Sequence, residues 1–154
     1  MYNALQDELK RCFYDVVISA AAVSDWSPER SYDYKLPTKS MPEFTLKLRA
    51  TPKLVESVKR VSSGSFSVVF KAVYKLSVED AVNQGYEKLL EADADMIVVN
   101  DVGKEGSGFM VDTNEVYVID KERSVVHVPL SPKPVVAERI LDLVVKKLKK
   151  SNLR

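Results

Sequence analysis

Hydrophobic and polar positions follow two periods along the 154 residues. Tyr2, Leu5, Leu9 and the Cys12-Phe13 pair recur at helical spacing with Asp7, Glu8, Lys10 and Arg11 between them. That spacing predicts an opening helix with Cys12 on its apolar face. Residues 15–23 form a near-continuous apolar run, β-branched at its start, which predicts a strand covered on both faces. The pattern then breaks over residues 24–43, where Pro28, Pro37 and Pro42 punctuate a charged, tyrosine-rich stretch. Loops of this length in a compact domain are usually binding loops or lids, or else disordered. Residues 44–50 alternate strictly and predict a strand with one wet face. Thr51-Pro52 predicts a helix start, Thr51 as N-cap and Pro52 in the first turn, with Leu54, Val55, Val58 and Val61 turned inward.

The second half is more regular. Residues 66–74 and 95–100 are apolar runs of strand length. Between them Ser77 and Asp80 resemble a capping box ahead of Val78, Ala81, Val82, Tyr86, Leu89 and Leu90 at helical spacing. Residues 103–108 hold three of the five glycines and predict a flexible loop. Residues 115–119 and 124–128 flank Asp120-Lys121-Glu122-Arg123 and predict a hairpin. Residues 131–134 open a last helix with Val136, Ile140, Leu141, Val144 and Leu148 inward and lysines at its C-terminal end, where the helix dipole favours cations. Apolar strands alternating with helices predict an α/β domain: a Rossmann-like, three-layer parallel sheet flanked by helices, with an additional β-hairpin and a long loop. No repeat or linker divides residues 1–154, so a single domain is expected.

Composition narrows the class. Lys and Arg number 23 against 22 Asp and Glu, a net charge of +1, which argues against a dedicated nucleic-acid or anionic-membrane binder. One cysteine excludes an internal disulfide and fits a reducing compartment. No apolar run approaches the roughly 20 residues of a membrane helix. A soluble cytoplasmic protein is the expectation.

Ligands of open α/β sheets bind outside the carboxyl ends of the strands. That rule selects residues 20–25, the Thr51-Pro52 turn, residues 71–74 and residues 100–108. Small side chains at Ala20, Ala21 and Ala22 would let a flat ligand approach the backbone, and Asp25 beyond them could hold a sugar hydroxyl or a metal-bound water; the plainer alternative is helix packing and a turn cap. Lys35 and Lys39 in the long loop could fold over a triphosphate or simply be solvated. The loop at 103–108 is neither a dinucleotide fingerprint nor a Walker loop. His127, the single histidine, has no acidic or cysteine partner nearby in sequence and is expected to be structural. Cys12 is expected in the core. No Cys/His cluster offers a zinc site.

Ala20-Ala21-Ala22-Val23-Ser24-Asp25-Trp26-Ser27-Pro28 resembles the A-A-V-[SA]-D-[WY]-x-P motif of phosphopantothenate–cysteine ligase, often fused behind a flavin-dependent decarboxylase. Further resemblances follow in order. Lys35-Leu36 with Lys39 is similar to a lysine loop, and Ala50-Thr51-Pro52-Lys53-Leu54-Val55 to an N-P-D-[IL]-[LV] turn. The segment from Val69 to Tyr74 resembles an archaeal-type V-G-F-K-A-E-Y strand. Lys88-Leu89 with the segment from Asp95 to Asp101 resembles K-[LI]…D-[LM]-I-V-A-N-D, and Gly108-Phe109, Asp112, Asn114 and Glu115-Val116 match G-F-x-x-D-x-N-x-V.

The resemblance implies a reaction in coenzyme A synthesis: 4′-phosphopantothenate is activated by CTP, or ATP in some members, and then joined to cysteine. It implies Lys35 as the catalytic loop lysine. Ser19, Ala20 and Ala21 would meet the base through their backbone, with Asp25 near sugar or metal. Pro52, Lys53, Leu54 and Val55 would line the nucleotide pocket, with Lys71 and Lys88 contacting the nucleotide. Lys39, Asn100 and Asp101 are candidate active-site neighbours. Mg²⁺ would arrive with the nucleotide, with no metal site fixed by protein alone. A homodimer is implied, with residues 44–50 as a candidate pairing element. Departures fall at Thr51, Lys53, Val73 and Ala92, where the family pattern has Asn, Asp, Glu and Lys. The family also carries an N-terminal part, missing ahead of Met1 here, so full turnover is not expected from this chain alone. That half, or a decarboxylase domain, is a candidate partner. The alternative is a non-catalytic binding module derived from the same family.

Overall fold

The computed structural model describes residues 1–39, 41 and 43–151. Pro42, one of the three prolines expected to punctuate the long loop, lies outside the described residues. Helix α1 (Tyr2–Arg11) leads into strand β1 (Val16–Ser19), then β2 (Trp26–Pro28), β3 (Leu48–Ala50) and helix α2 (Leu54–Val61). Strand β4 (Phe66–Val73), helix α3 (Val78–Glu91), strands β5 (Met96–Asp101), β6 (Thr113–Asp120) and β7 (Val125–Pro132) and helix α4 (Lys133–Ser151) complete the order.

The main sheet runs β1-β4-β5-β6-β7. β1, β4 and β5 are parallel, with Ser19 opposite Val69 and Asp101 opposite Val73. β6 and β7 continue the same sheet antiparallel, so the predicted hairpin forms its outer edge. Helices lie on both faces. On one face Leu89 of α3 packs with Val69, Val73, Ile97, Val99 and Ile119; on the other Val136, Ile140 and Val144 of α4 pack with Val68, Val98 and Val118. β5 lies in the middle, and Met96, Ile97, Val98 and Val99 are all buried.

α3 starts where the sequence predicts. Ser77 Oγ accepts from Asp80 N at 3.0 Å and donates to Asp80 Oδ2 at 2.6 Å, satisfying one free amide of the first turn. α2 starts two residues later than expected. Lys53 is its N-cap and makes no side-chain cap, since an ammonium has no acceptor; the Thr51 hydroxyl donates instead to Ser24 O at 2.6 Å.

Other expectations are corrected. β1 stops at Ser19, short of the alanines, and it is not buried on both faces: Ile18 is 41% exposed. Among the described residues β1 pairs with β4 alone, so its outer side is an edge. The strand expected over 44–50 shrinks to β3, which is exposed throughout and joins β2 in a separate two-stranded ladder. Its alternating pattern therefore marks an arm rather than a core strand. Within that arm Tyr32 stands edge-on to Tyr34 and Phe44, with ring centres 5.7 and 5.9 Å apart. Cys12 is exposed because α1 ends at Arg11 and the chain turns extended at its C-cap. Leu141 is 49% exposed, since α4 meets the sheet through Val136, Ile140 and Val144.

Gly85 is the tightest approach of α3 to the sheet. A Cβ there would run into Val99 Cγ2 and come within 3.0 Å of Ile119 Cδ1. Alanine favours helix by about 1 kcal/mol, but overpacking a filled core costs about 1–3 kcal/mol. Gly85→Ala is therefore expected to lower stability in urea denaturation; a gain would show that α3 can move off β5.

Candidate functional site

Two expected residues, Asp25 and Lys53, meet in the segments after β1 and before α2, and the charge of a third, Lys88, acts on Asp25. Lys53 Nζ donates to Asp25 Oδ1 at 2.6 Å. This bond is the main cause holding the Asp25 carboxyl below the ordinary carboxylate range, and the Lys88 charge adds to it. The same contact raises Lys53. Lys88, on α3, pairs with Glu56 at 3.5 Å and Glu91 at 3.0 Å. Backbone bonds fix the turn: Thr51 N donates to Asp25 O at 2.9 Å, and Trp26 lies opposite Ala50. The break after β1, the β2–β3 ladder and the start of α2 thus bring Asp25 and Lys53 together from 28 residues apart.

The remaining expected residues are distributed as follows. Ser19 ends β1, with Ala20 and Ala21 exposed beyond it. Pro52 is exposed, and Leu54 and Val55 are half-buried in the first turn of α2. Lys71 is half-buried on β4. Lys35 and Lys39 are exposed in the arm; among the described residues no ion pair or hydrogen bond ties them to Asp25, Lys53 or Lys88. Asn100 and Asp101 end β5. Asp101 is a clamp: its Oδ1 accepts from Lys75 N and Gly103 N, each at 2.8 Å, tying the ends of β4 and β5. Val73, where the family pattern has Glu, is buried in the core under α3.

In this arrangement Lys53 and Lys88 already hold carboxylates, so an arriving anion would exchange partners with Asp25, Glu56 and Glu91. Lys35, Lys39 and Lys71 have no such partner among the described residues and can add charge directly. Among the described residues no group of three or more His, Cys, Asp or Glu side chains is placed to hold a metal ion.

Two cavities lie elsewhere. The larger, about 750 Å³, opens at the amino ends of β4 and β5, lined in part by Lys59, Asp95, Lys121, Asp120 and Lys147. Several of its charges pair with one another: Lys59 with Asp95 at 2.5 Å, Lys121 with Asp95 at 3.4 Å, and Lys147 with Asp120 at 2.5 Å and Glu122 at 2.7 Å. It is a ladder of ion pairs bracing the helices, on the edge of the sheet opposite the carboxyl ends. The smaller, about 230 Å³, lies at the carboxyl end of β5 beside Asp101, Lys104, Glu115 and Tyr117.

Spacing along the chain offers no sign of the cluster at that second cavity. Glu115, whose side chain is 9% exposed, bonds Lys104 Nζ through Oε2 and His127 Nε2 through Oε1, the latter at 2.8 Å. His127 is therefore not without an acidic partner; Glu115 reaches it across the β6–β7 ladder, and Tyr117 stacks on its ring at 4.7 Å. The Lys104 bond is the largest cause of a lowered Glu115 carboxyl, partly opposed by burial and reinforced by His127. A carboxyl lowered on folding adds stability above its unfolded value, about 4.3, and loses it as pH falls through the folded value. Glu115→Gln should therefore flatten the acid limb of a stability-against-pH curve below about pH 5. An unchanged limb would show that Glu115 does not titrate with folding.

Comparison with known proteins follows the same lines. Residues 1–148 match the family described as DNA/pantothenate metabolism flavoprotein C-terminal domain. The chain is 35% identical over 148 residues to the coenzyme A biosynthesis bifunctional protein CoaBC of Thermococcus kodakarensis, covering 96% of this chain and 35% of that protein. It is 36% identical over 138 residues to the CoaBC of Methanocaldococcus jannaschii, covering 90% of this chain and 32% of that protein. The chain thus spans about a third of the length of these relatives. The solved C-terminal domain of a CoaBC protein superposes with TM-score 0.70 at 28% identity, covering 97% of this chain and 63% of that one. A DNA/pantothenate metabolism flavoprotein from Streptococcus pneumoniae shares the fold, with TM-score 0.75 at 22% identity over 95% of this chain and 68% of that one. The chain belongs to the DNA/pantothenate metabolism flavoprotein C-terminal domain family, that of the phosphopantothenate–cysteine ligase part of CoaBC proteins.

Proposed function

We propose that this chain supplies the nucleotide-binding part of a phosphopantothenate–cysteine ligase in coenzyme A biosynthesis. The observation that carries the reading is the Asp25–Lys53 ion pair in the segment that follows β1, with the Lys88 charge acting on the same carboxylate; the family resemblance puts the nucleotide there. In the first step a carboxylate oxygen of 4′-phosphopantothenate attacks the α-phosphorus of CTP, and pyrophosphate leaves. In the second the amine of cysteine attacks the acyl carbon of the acyl-cytidylate; the amide forms, CMP leaves and the amine gives up a proton.

Negative charge builds on phosphate oxygens in the first step, so pre-placed cations lower its barrier most. Lys53 and Lys88 bind at the floor and Lys71 on β4. Lys35 and Lys39 reach over from the arm. Lys35 is the lysine we assign to the transition state. Mg²⁺ carried by the nucleotide supplies further neutralisation of the triphosphate. Exposed Trp26, Leu46 and Leu48 on the arm favour burial against a second copy, and so a homodimer. The remainder of the site would come from the part of the longer relatives that this chain does not span. None of the helices is long and apolar enough to cross a membrane, among the described residues, and the substrates are cytoplasmic metabolites in this reading.

Loss of one charge-assisted hydrogen bond costs about 1.5–3 kcal/mol, roughly 10- to 100-fold in affinity. Calorimetric titration of Mg·CTP is expected to show binding by the unaltered chain and a loss of about that size in Lys35→Ala. No heat and no thermal stabilisation at millimolar nucleotide would favour the non-catalytic module. Mg·ATP in parallel fixes the base preference.

A further inference from the structure

We propose that Glu115 is a positioning residue: through Lys104 it fixes the loop of residues 102–112 as the wall of the ligand site beyond β5. The ligand in this proposal rests on the ligase reading; the latch does not. The loop leaves the carboxyl end of β5, the edge at which ligands of open α/β sheets sit. Its own apolar side chains do not hold it in place. Phe109 is 77% exposed and Met110 97% exposed. Gly106 and Gly108 have φ of +74° and +141°, a region that glycine enters without Cβ strain.

What holds the loop is polar and lies at its base. Gly103 N donates to Asp101 Oδ1 at 2.8 Å. Ser107 Oγ donates to Asn114 Oδ1 at 2.6 Å, and Thr113 Oγ1 to Gly106 O at 2.5 Å. Lys133 Nζ reaches Gly108 O at 3.2 Å. The one ion pair among these ties is Lys104 with Glu115. Glu115 is the more deeply set partner, with His127 holding its second oxygen. A nearly buried carboxylate that loses its cation is left short of a partner, so the pair resists opening. Lys104 lines the cavity of about 230 Å³ together with Asp101 and Tyr117. Lys104 and Ser107 supply the loop's share of that cavity's wall, while Ala81 and Val99 supply the core side.

The test uses the full chain with Lys104→Ala, Glu115→Gln, Lys104→Arg and the exchange Lys104→Glu with Glu115→Lys. Amide hydrogen exchange of residues 103–111 is read without ligand, and Mg·CTP affinity is read by calorimetry, with the melting temperature as a folding check. Lys104→Ala and Glu115→Gln are expected to speed loop exchange about tenfold and to weaken Mg·CTP several-fold, with exchange in β4 and β5 unaltered. Lys104→Arg keeps both readings near those of the unaltered chain, and the charge exchange brings both back toward it. Unchanged loop exchange in Lys104→Ala overturns the latch. Faster exchange with unchanged nucleotide affinity overturns the assignment of the loop to the ligand site while leaving the ligase reading intact. No Mg·CTP binding by the unaltered chain overturns the ligase reading and the ligand role of the wall together; the ligand-free exchange still decides the latch by itself.

Discussion

Everything in this protein hangs on the burial of β5. Met96 to Val99 are enclosed on both faces, so α3 and α4 meet the same strand from opposite sides. Burying a Val or Ile side chain contributes about 1.5–3 kcal/mol, and four successive positions at one strand concentrate that gain. The parallel pairing of β4 with β5 then fixes where both strands end, with Val73 beside Asp101. Asp101 secures that point by accepting two backbone amides. The carboxyl edge is thus a consequence of packing before it is a place for chemistry.

The site at that edge is built from exposed charges around a rigid frame. The Asp25–Lys53 contact is open to solvent and contributes little to stability. Its value lies in placement: a short ladder and a helix start hold a carboxylate and an ammonium side by side. By contrast Glu115 is nearly buried and holds two donors. The two clusters flank the ends of the parallel strands from opposite sides, one on the β1 side and one on the β6 side. Partner exchange at the first and loop placement at the second are separate physical demands on a ligand.

Departures from the family pattern have readable physical consequences. Val73 occupies a core position beneath α3, so a carboxylate there would need a partner. Lys53, in place of an acid, forms an ion pair with Asp25. Thr51 substitutes a hydroxyl bond to Ser24 O for whatever an asparagine would make, keeping the turn closed.

The sequence by itself determined the elements whose residues answer to one repeating environment. α3 with its Ser77 cap, β4, β5, the β6–β7 hairpin and α4 were all legible, because burial on one stripe or on both faces leaves a period in the residues. Motifs in order also carried the family. The tertiary structure alone decided the rest. It ended β1 before the alanines and turned residues 44–50 into an exposed arm, since alternation records a pleat and not what covers it. It left Leu141 in solvent because α4 packs through a narrower stripe than the pattern suggests, and Cys12 because α1 ends one residue before it. It joined Glu115 to Lys104 and His127, partners 11 and 12 residues away that only a loop and a strand register bring within reach. Local sequence sets what each segment prefers; which distant charges meet is set by how the sheet is ordered.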